Sequence, residues 1–226
     1  MTMTKPTLYF ATTNENKVKE VNRFIGDKYN IVTITDLGIV DDVEETGKTY
    51  RENAALKAHH LHNLGYSPVI AEDSGVELDA LYGNPGIYSK RAYPQPNDVD
   101  AMEALIRDMN KSHVNSPYAT YSTTFVGIFD GEEYAHKSDV RGHIADTPRG
   151  ENGYMYDKVF CPQRIETQLF MGDKPVQNDD RTYAEMSLQE RDQFNARKES
   201  LMGLLEQVSV SLELDDLSDL DELRTH

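Results

Sequence analysis

Cysteine is scarce in this sequence, and long apolar runs are missing from it. Cys161 is the only cysteine among the 226 residues, so no disulfide can form within the chain, and a reducing cytoplasm is the simplest location. No apolar run approaches the length of a membrane span, and the opening residues, MTMTKPTLYF, lack the apolar stretch of a secretion signal. We therefore expect a cytoplasmic protein that does not associate with membranes.

Positive charge is also in short supply. The chain has 23 Lys and Arg residues against 39 Asp and Glu residues, which gives a formal net charge of −16. A surface this acidic repels nucleic acid and anionic membranes, so neither is an expected partner. A small phosphorylated ligand is compatible with this charge only where Lys and Arg cluster locally or a metal ion is present. The composition is otherwise that of a soluble globular protein.

The order of the predicted elements favours an α/β fold with a mixed sheet. Strands and helices alternate in the first half of the chain, and a β-hairpin around Asp130-Gly131 follows them. Apolar periodicity predicts strands at 7–11, 29–35, 68–71, 118–129 and 132–140, and helices at 15–25, 50–64 and 99–109.

Capping-box patterns mark two helix starts. Thr49-x-x-Glu52 opens the helix at 50–64, and Ser187-x-x-Glu190 opens a long helix that we expect to reach residue 208.

An acidic stretch with recurring leucines ends the chain. Leu214, Leu217, Leu220 and Leu223 recur at every third position. The stretch is either an amphipathic helix that packs on the body or on a partner, or a frayed acidic tail. We therefore predict a single domain at 1–208 and a tail at 209–226.

The first candidate site is the strand–helix junction in ATTNENKVKE. The free N–H groups at the start of a helix attract anions, and Thr12, Thr13 and Asn14 add further hydrogen-bonding groups. Lys17 lies one turn into the helix and can fold back to the same point. The stretch reads either as a phosphate cradle or as an ordinary N-cap with a solvated lysine, and alone it favours the N-cap.

Two acidic stretches are candidates for a metal site. Glu44 and Glu45 precede a glycine turn, with Lys57 on the following helix, and paired carboxylates of this kind can hold Mg²⁺. Taken by itself, the stretch from Glu44 to Lys57 is better interpreted as an acidic loop followed by a surface helix. Glu72 and Asp73 end an apolar strand, where two adjacent carboxylates are costly without a cation, so a metal or a general base is the better interpretation.

Two further stretches complete the set. After Ser74, a rigid turn at 83–86 would deliver Lys90 and Arg91 toward a common point, although a hairpin with incidental charges explains them as well. In GYMYDKVF, Tyr154 and Tyr156 flank a methionine, so they either stack on a nucleobase or belong to an aromatic core strand.

Taken together, these stretches resemble one family, the inosine triphosphate pyrophosphatases. ATTNENKVKE is similar to its T-x-N-x-x-K opening, and EETGKTYRENAALKA to its E-T-G-x-T-[FY]-x-E-N-A-x-x-K-A block. EDSGVELDALYGNPGIYSKR resembles D-D-S-G-L-x-V-D-A-L-x-G-x-P-G-[VI]-Y-S-x-R, and TYAEMSLQER resembles T-[FY]-A-E-[ML]-[ST]-x-E-E-K. The similarity runs in order from residue 7 to about residue 208.

The resemblance implies a two-lobed α/β fold with a long curved mixed sheet and a central cleft. It implies a homodimer that hydrolyses a nucleoside triphosphate to the monophosphate and pyrophosphate with Mg²⁺. Carried over by position, Glu45 and Asp73 hold the metal, with Glu72 beside them, and Asp73 also accepts the proton of the attacking water. Lys57 is implied as a catalytic residue that assists with phosphate contacts. The implied substrate-binding residues are Thr12, Thr13, Asn14, Lys17, Ser74, Arg91, Tyr154, Tyr156, Asp157, Arg191 and Arg197.

The sequence departs from the family where the base is recognised. The family's S-H-R motif reads Asn195-Ala196-Arg197, and Met155 replaces the second glycine of G-F-G-[YW]-D. We hypothesise that the pyrophosphatase chemistry is kept and that the base preference differs from hypoxanthine and xanthine, because polar groups of a site set its discrimination. A nucleotide-binding regulator without turnover is the alternative from a different class.

Overall fold

The computed structural model describes residues 4–40, 43–163 and 180–222, with side chains described as far as residue 211. The strands are β1 (Thr7–Phe10), β2 (Asn30–Thr33), β3 (Val69–Leu78), β4 (Tyr118–Phe129), β5 (Glu132–Ile144) and β6 (Phe160–Pro162). The helices are α1 (Glu15–Ile25), α2 (Tyr50–Asn63), α3 (Asp98–Lys111), α4 (Leu188–Arg191) and α5 (Ala196–Glu222). Across these described ranges, no helix combines the length and the apolar character of a membrane span.

The six strands form one mixed sheet in the order β2-β1-β3-β4-β5-β6. β1 pairs in parallel with β2 and β3, whereas β5 and β6 are antiparallel. Parallel neighbours need crossover connections, and α1 and α2 lie in the two connections between these strands. Asp130 and Gly131 join β4 to β5 with φ angles of 50° and 87°, as a type I′ hairpin turn requires. The predicted α/β fold with a mixed sheet is confirmed.

The first of two compact units comprises Met1–Asp73, Thr124–Lys137 and Arg197–His226. In one of its core clusters, Val21 and Ile25 of α1 pack with Phe10 of β1. These helical residues are four positions apart and therefore lie on the same face of α1. In a second cluster, Ala54 and Ala58 form part of the buried face of α2.

The second unit comprises Ser74–Thr123 and Ser138–Ala196. Val76 and Leu78, two positions apart on β3, are both fully buried in its core. Met102 and Leu105 of α3 pack in the same cluster as Phe160 of β6. The core of this unit is therefore built from a helix face and a sheet face, as an α/β arrangement requires.

β3 is longer than the sequence predicted. The expected strand at 68–71 ends before Glu72, whereas β3 continues to Leu78, so that Glu72, Asp73 and Ser74 lie inside the strand. Val76 is buried further along, and a buried backbone needs the hydrogen bonds that the sheet supplies. The prediction that the two carboxylates end a strand is therefore wrong.

The long helix predicted from Ser187 is also wrong, although its start is confirmed. Ser187 and Glu190 form the reciprocal capping box, but α4 ends at Arg191. Asn195 then has an extended backbone, with φ −99° and ψ 102°, which interrupts helical hydrogen bonding before α5 begins. α5 continues to Glu222, so the backbone at 209–222 is helical. The side chains of Leu214, Leu217 and Leu220, and all of Leu223, lie outside the described part of the chain, and the boundary at 208 stays a prediction.

Candidate active site

The polar junction between β1 and α1 serves first as a helix cap. Asn14 is the N-cap residue, and its side-chain oxygen accepts hydrogen bonds from the N–H groups of Asn16 (3.0 Å) and Lys17 (3.3 Å). The hydroxyl of buried Thr12 accepts the N–H of Asn14 at 3.1 Å, while Thr13 is exposed. The N-cap interpretation is thus correct for Asn14, but it does not describe Lys17.

Lys17 is not a solvated lysine. Its ammonium lies 2.6 Å from Oε2 of Glu72, and only 14% of its side chain is exposed. Arg197 approaches the other oxygen of the same carboxylate, with 3.5 Å between Nε and Oε1, and also pairs with Glu20 of α1. Burial lowers the pKa of Lys17, an effect that the charge of Glu72 opposes.

Glu72 is the shared counter-ion of this cluster. Its side chain has no exposed surface, and a buried carboxylate is tolerated only where cations or hydrogen bonds compensate its charge. Since each of its oxygens faces a different cation, Glu72 is placed to position Lys17 and Arg197, and its role as a metal ligand stays a prediction.

A second cluster in the same unit joins α2 to β3. Asn53 and Lys57 are four residues apart on one face of α2. Buried Asn53 donates from Nδ2 to Oδ2 of Asp73 (3.1 Å) and accepts the N–H of Gly47 (2.9 Å). The ammonium of Lys57 lies 2.9 Å from Oε1 of Glu45 and 3.8 Å from Oδ1 of Asp73.

The two carboxylates around Lys57 suit a hard cation. Mg²⁺ prefers oxygen ligands and is commonly held by one or two carboxylates, with waters and substrate phosphates completing its shell. Glu45 and Asp73 supply such a pair, already arranged around one positive charge. Among the residues that the structure describes, no cluster of three or more His, Cys, Asp or Glu side chains is assembled for a metal.

Burial and neighbouring charges have opposite effects on the pKa of Asp73. Burial raises its pKa, and the charges of Lys57 and Lys17 together with the Asn53 hydrogen bond act in the opposite direction. A bound cation would act in the same direction as the two lysines, because it favours the ionised form of the carboxylate.

The second unit contains a separate polar cluster around Asp157. Its Oδ2 accepts the N–H of Tyr154 (3.1 Å) and a guanidinium N–H of Arg191 (3.0 Å). The Arg191 guanidinium lies 5.5 Å from the centre of the Tyr183 ring. At Gly153, whose φ is +74°, a Cβ would meet the same Asp157 oxygen at 2.3 Å, so this close packing requires glycine.

Tyr156 belongs to the core of the second unit. It is only 6% exposed, and its hydroxyl donates to the carbonyl of Ser89 at 2.9 Å. Burial raises the pKa of this phenol. Tyr156 is therefore a core residue, but it lies in the short 3₁₀ helix Met155–Lys158, so the predicted core strand is wrong here. Tyr154 is partly exposed.

Arg91 and Ser74 are the other predicted substrate-binding residues of this unit. Arg91 is exposed, with its guanidinium 5.1 Å from the centre of the Tyr88 ring, and exposed Lys90 follows the same short turn. Ser74 lies in β3 and is partly buried.

Sequence reasoning missed three residues that organise these clusters. Asn53 could have been predicted, because it lies four positions before Lys57 and therefore on the same face of the helix. Glu20 had a similar one, three positions after Lys17 on α1. Asp98 had none: its carboxylate accepts the N–H of Met155 at 3.0 Å, across 57 positions of sequence.

The fold and the clusters around Glu72 and Lys57 define an α/β protein with partly buried lysines paired to carboxylates beside strand β3. The Ham1 family model matches residues 8–207, and the chain belongs to that family. It is 32% identical over 197 residues to a dITP/XTP pyrophosphatase of Bacillus licheniformis, covering 86% of this chain and 93% of the relative. The corresponding relative of Symbiobacterium thermophilum is 34% identical over 213 residues, covering 93% and 99%.

A solved structure shows the same fold. The Ham1 protein of Staphylococcus aureus matches with a TM-score of 0.73 and 31% identity, covering 92% of this chain and 99% of that protein. The resemblance drawn from the sequence motifs is thereby confirmed.

Proposed function

We propose that this protein is a Mg²⁺-dependent nucleoside triphosphate pyrophosphatase. It hydrolyses ribo- or deoxyribonucleoside triphosphates, with unusual purines such as ITP, dITP and XTP as the first candidates, to the monophosphate and pyrophosphate. The relatives named dITP/XTP pyrophosphatases support this substrate class. The observation that carries the proposal is the convergence of Glu45 and Asp73 on one cationic group, Lys57.

The reaction requires water to attack the α-phosphorus while the bond from that phosphorus to the bridging oxygen breaks. Asp73 accepts a proton from the water, the water oxygen becomes part of the monophosphate, and pyrophosphate leaves with the bridging oxygen. Glu45 and Asp73 would hold Mg²⁺, which supplies charge neutralisation for the phosphates.

Lys17 and Arg197 provide the positive charge that a triphosphate needs on a protein of net charge −16. Glu72 holds both cations inside the first unit, and Glu20 holds Arg197 from α1. Because these charges are fixed before substrate binds, little reorganisation is needed at the moment of reaction. Thr12, Thr13, Asn14 and Ser74 contribute phosphate contacts in this proposal, on the family resemblance.

We assign base recognition to Tyr154, Asp157 and Arg191 of the second unit. Ala196, which is buried, stands where the family has histidine and cannot hydrogen-bond a purine through its side chain. This substitution supports a second candidate of the same class, a pyrophosphatase with changed base preference. Tyr156 supports the segment from the core, and Arg91 remains an expected phosphate contact.

A homodimer and a cytoplasmic location also belong to the proposal. The first rests on the family resemblance, and the second on the single cysteine, Cys161, which is buried.

The experiment is a substrate panel with purified protein and Mg²⁺. Pyrophosphate and orthophosphate are measured with ITP, dITP, XTP and the four usual nucleotides, for the wild type and for Asp73→Asn. We expect pyrophosphate from the wild type and a loss of about 100-fold or more in the variant, as for removal of a general base.

Matched glutamate variants separate a site effect from a charge effect. Glu45→Gln should lose activity, whereas Glu44→Gln, which alters the adjacent exposed residue, should retain it. Nucleotide binding without release of pyrophosphate from any substrate would favour the regulator instead. A ranking headed by ITP and XTP would reject the changed base preference.

A further inference from the structure

Met155 has a backbone conformation that its side chain does not favour. Its φ is +49°, in the left-handed region where glycine is the usual residue. The motif that this segment resembles has glycine at this position, and glycine adopts positive φ readily, whereas this chain carries a methionine. The methionine side chain is partly buried and packs against the core cluster of the second unit. A specific contact is needed to favour this conformation over the ordinary ones.

Asp98 provides that contact. Its carboxylate Oδ2 accepts the N–H of Met155 at 3.0 Å. Asp98 is the first residue of α3, where the helix is anchored by its N-cap, Asn97. A hydrogen bond to a charged acceptor is stronger than one between neutral groups. The rigid start of α3 therefore holds the backbone at Met155.

The positions of Tyr154 and Asp157 relative to each other depend on the φ angle of Met155. Tyr154 directly precedes Met155 and donates its N–H to Asp157, which in turn receives the guanidinium of Arg191. A change of φ at Met155 would rotate the peptide group that links Tyr154 to this ion pair. The segment Tyr154–Asp157 is thus held by two contacts: Met155 donates its N–H to Asp98 of α3, and Asp157 accepts from Arg191.

We propose that Asp98 is a positioning residue for nucleobase selection, which it exerts by fixing Met155 in the left-handed conformation. This inference rests on the proposed function, because it assigns base recognition to the segment Tyr154–Asp157. Asp98 itself touches no reacting atom. Its effect should therefore appear in the KM of the preferred nucleotide rather than in kcat.

The test compares four variants of the full-length protein. Asp98→Ala should raise KM for the preferred nucleotide about tenfold while kcat changes less than about twofold, since a charge-assisted hydrogen bond is lost away from the chemistry. Asp98→Asn keeps an acceptor oxygen and should stay close to the wild type. Glu103→Ala is the control, because Glu103 lies on the same helix, is exposed, and pairs with Arg107 rather than with the N-cap.

The decisive variant is the double substitution Asp98→Ala with Met155→Gly. Glycine adopts positive φ without assistance, so KM should return to within about threefold of the wild-type value. A KM unchanged in Asp98→Ala, or a raised KM that Met155→Gly fails to restore, would overturn the proposal. A merely structural role for Asp98 would not be relieved by the second substitution.

Amide hydrogen exchange at Met155 tests the contact without any turnover. Exchange should be about tenfold faster in Asp98→Ala and unchanged in Glu103→Ala, because only the first variant removes the acceptor of that N–H. Unchanged exchange in Asp98→Ala would overturn the positioning role. A wild type that releases no pyrophosphate would overturn the proposed function instead, and the exchange result would still decide on the contact between Asp98 and Met155.

Discussion

The ammonium of Lys57 lies 2.9 Å from Oε1 of Glu45 and 3.8 Å from Oδ1 of Asp73. A cation of the protein thus stands between the two carboxylates that we assign to Mg²⁺. Lys57 is carried by α2, and Asn53 on the same helix face holds the other oxygen of Asp73. The helix therefore fixes both the carboxylate and its internal counter-ion.

Removing this internal cation should strengthen metal binding. In Lys57→Met the two carboxylates lose a neighbouring positive charge, so the affinity for Mn²⁺ without nucleotide should rise about fivefold, the effect of about 1 kcal/mol of lost repulsion. Mn²⁺ binding is measured by electron paramagnetic resonance. Exposed Lys48→Met is the control and should leave the affinity unchanged. Weaker Mn²⁺ binding in Lys57→Met would contradict the assignment of these carboxylates.

Removing the negative charge of buried Glu72 should destabilise the protein. Glu72→Gln leaves the charges of Lys17 and Arg197 with a neutral partner in a buried position, so the free energy of unfolding should fall by about 3 kcal/mol. Urea denaturation measures this change. Glu77→Gln, on the same strand but less buried, should change it by less than about 0.5 kcal/mol. Equal effects of the two substitutions would show that Glu72 does not compensate those cations.

A surface ion pair should make stability depend on pH. The Arg141 guanidinium, which bonds Asp79, holds the pKa of that carboxyl below its ordinary value of 3.8. A lowered pKa means that the stabilisation is present above the unfolded-state pKa and is lost as the pH falls through the folded-state value. Arg141→Gln should therefore lower the free energy of unfolding at pH 7 by less than about 1 kcal/mol, because both side chains are partly exposed.

The pH series for this variant uses urea denaturation from neutral to acidic conditions. The difference in free energy of unfolding between wild type and Arg141→Gln should become smaller as Asp79 becomes protonated. A difference that stays constant or increases toward acid would contradict the role given to this pair.

Local patterns were readable from the sequence, and long-range ones were not. The capping residues Thr49 and Ser187 were predicted correctly, because a cap depends on groups within three positions of the same chain segment. The type I′ turn at Asp130-Gly131 is equally local. The exact range of α1 followed from its apolar spacing.

Partners distant in sequence decided the rest. Lys17 looked like a surface lysine because its partner, Glu72, comes 55 positions later, and only the pairing of β1 with β3 brings the two together. The C-terminal end of β3 was not predicted, because only the short apolar–polar alternation at 76–78 indicates that the strand continues and is buried. The helix predicted from Ser187 is interrupted at Asn195, whose backbone is extended, and no local sequence motif predicts that conformation.

Isotope labelling tests the central assignment most directly. The wild type is incubated with Mg²⁺ and its preferred triphosphate in ¹⁸O-enriched water, and the products are separated by mass spectrometry. Attack of water on the α-phosphorus predicts one solvent oxygen in the nucleoside monophosphate and none in the released pyrophosphate. Solvent oxygen found in pyrophosphate or orthophosphate, with the monophosphate unlabelled, would contradict it.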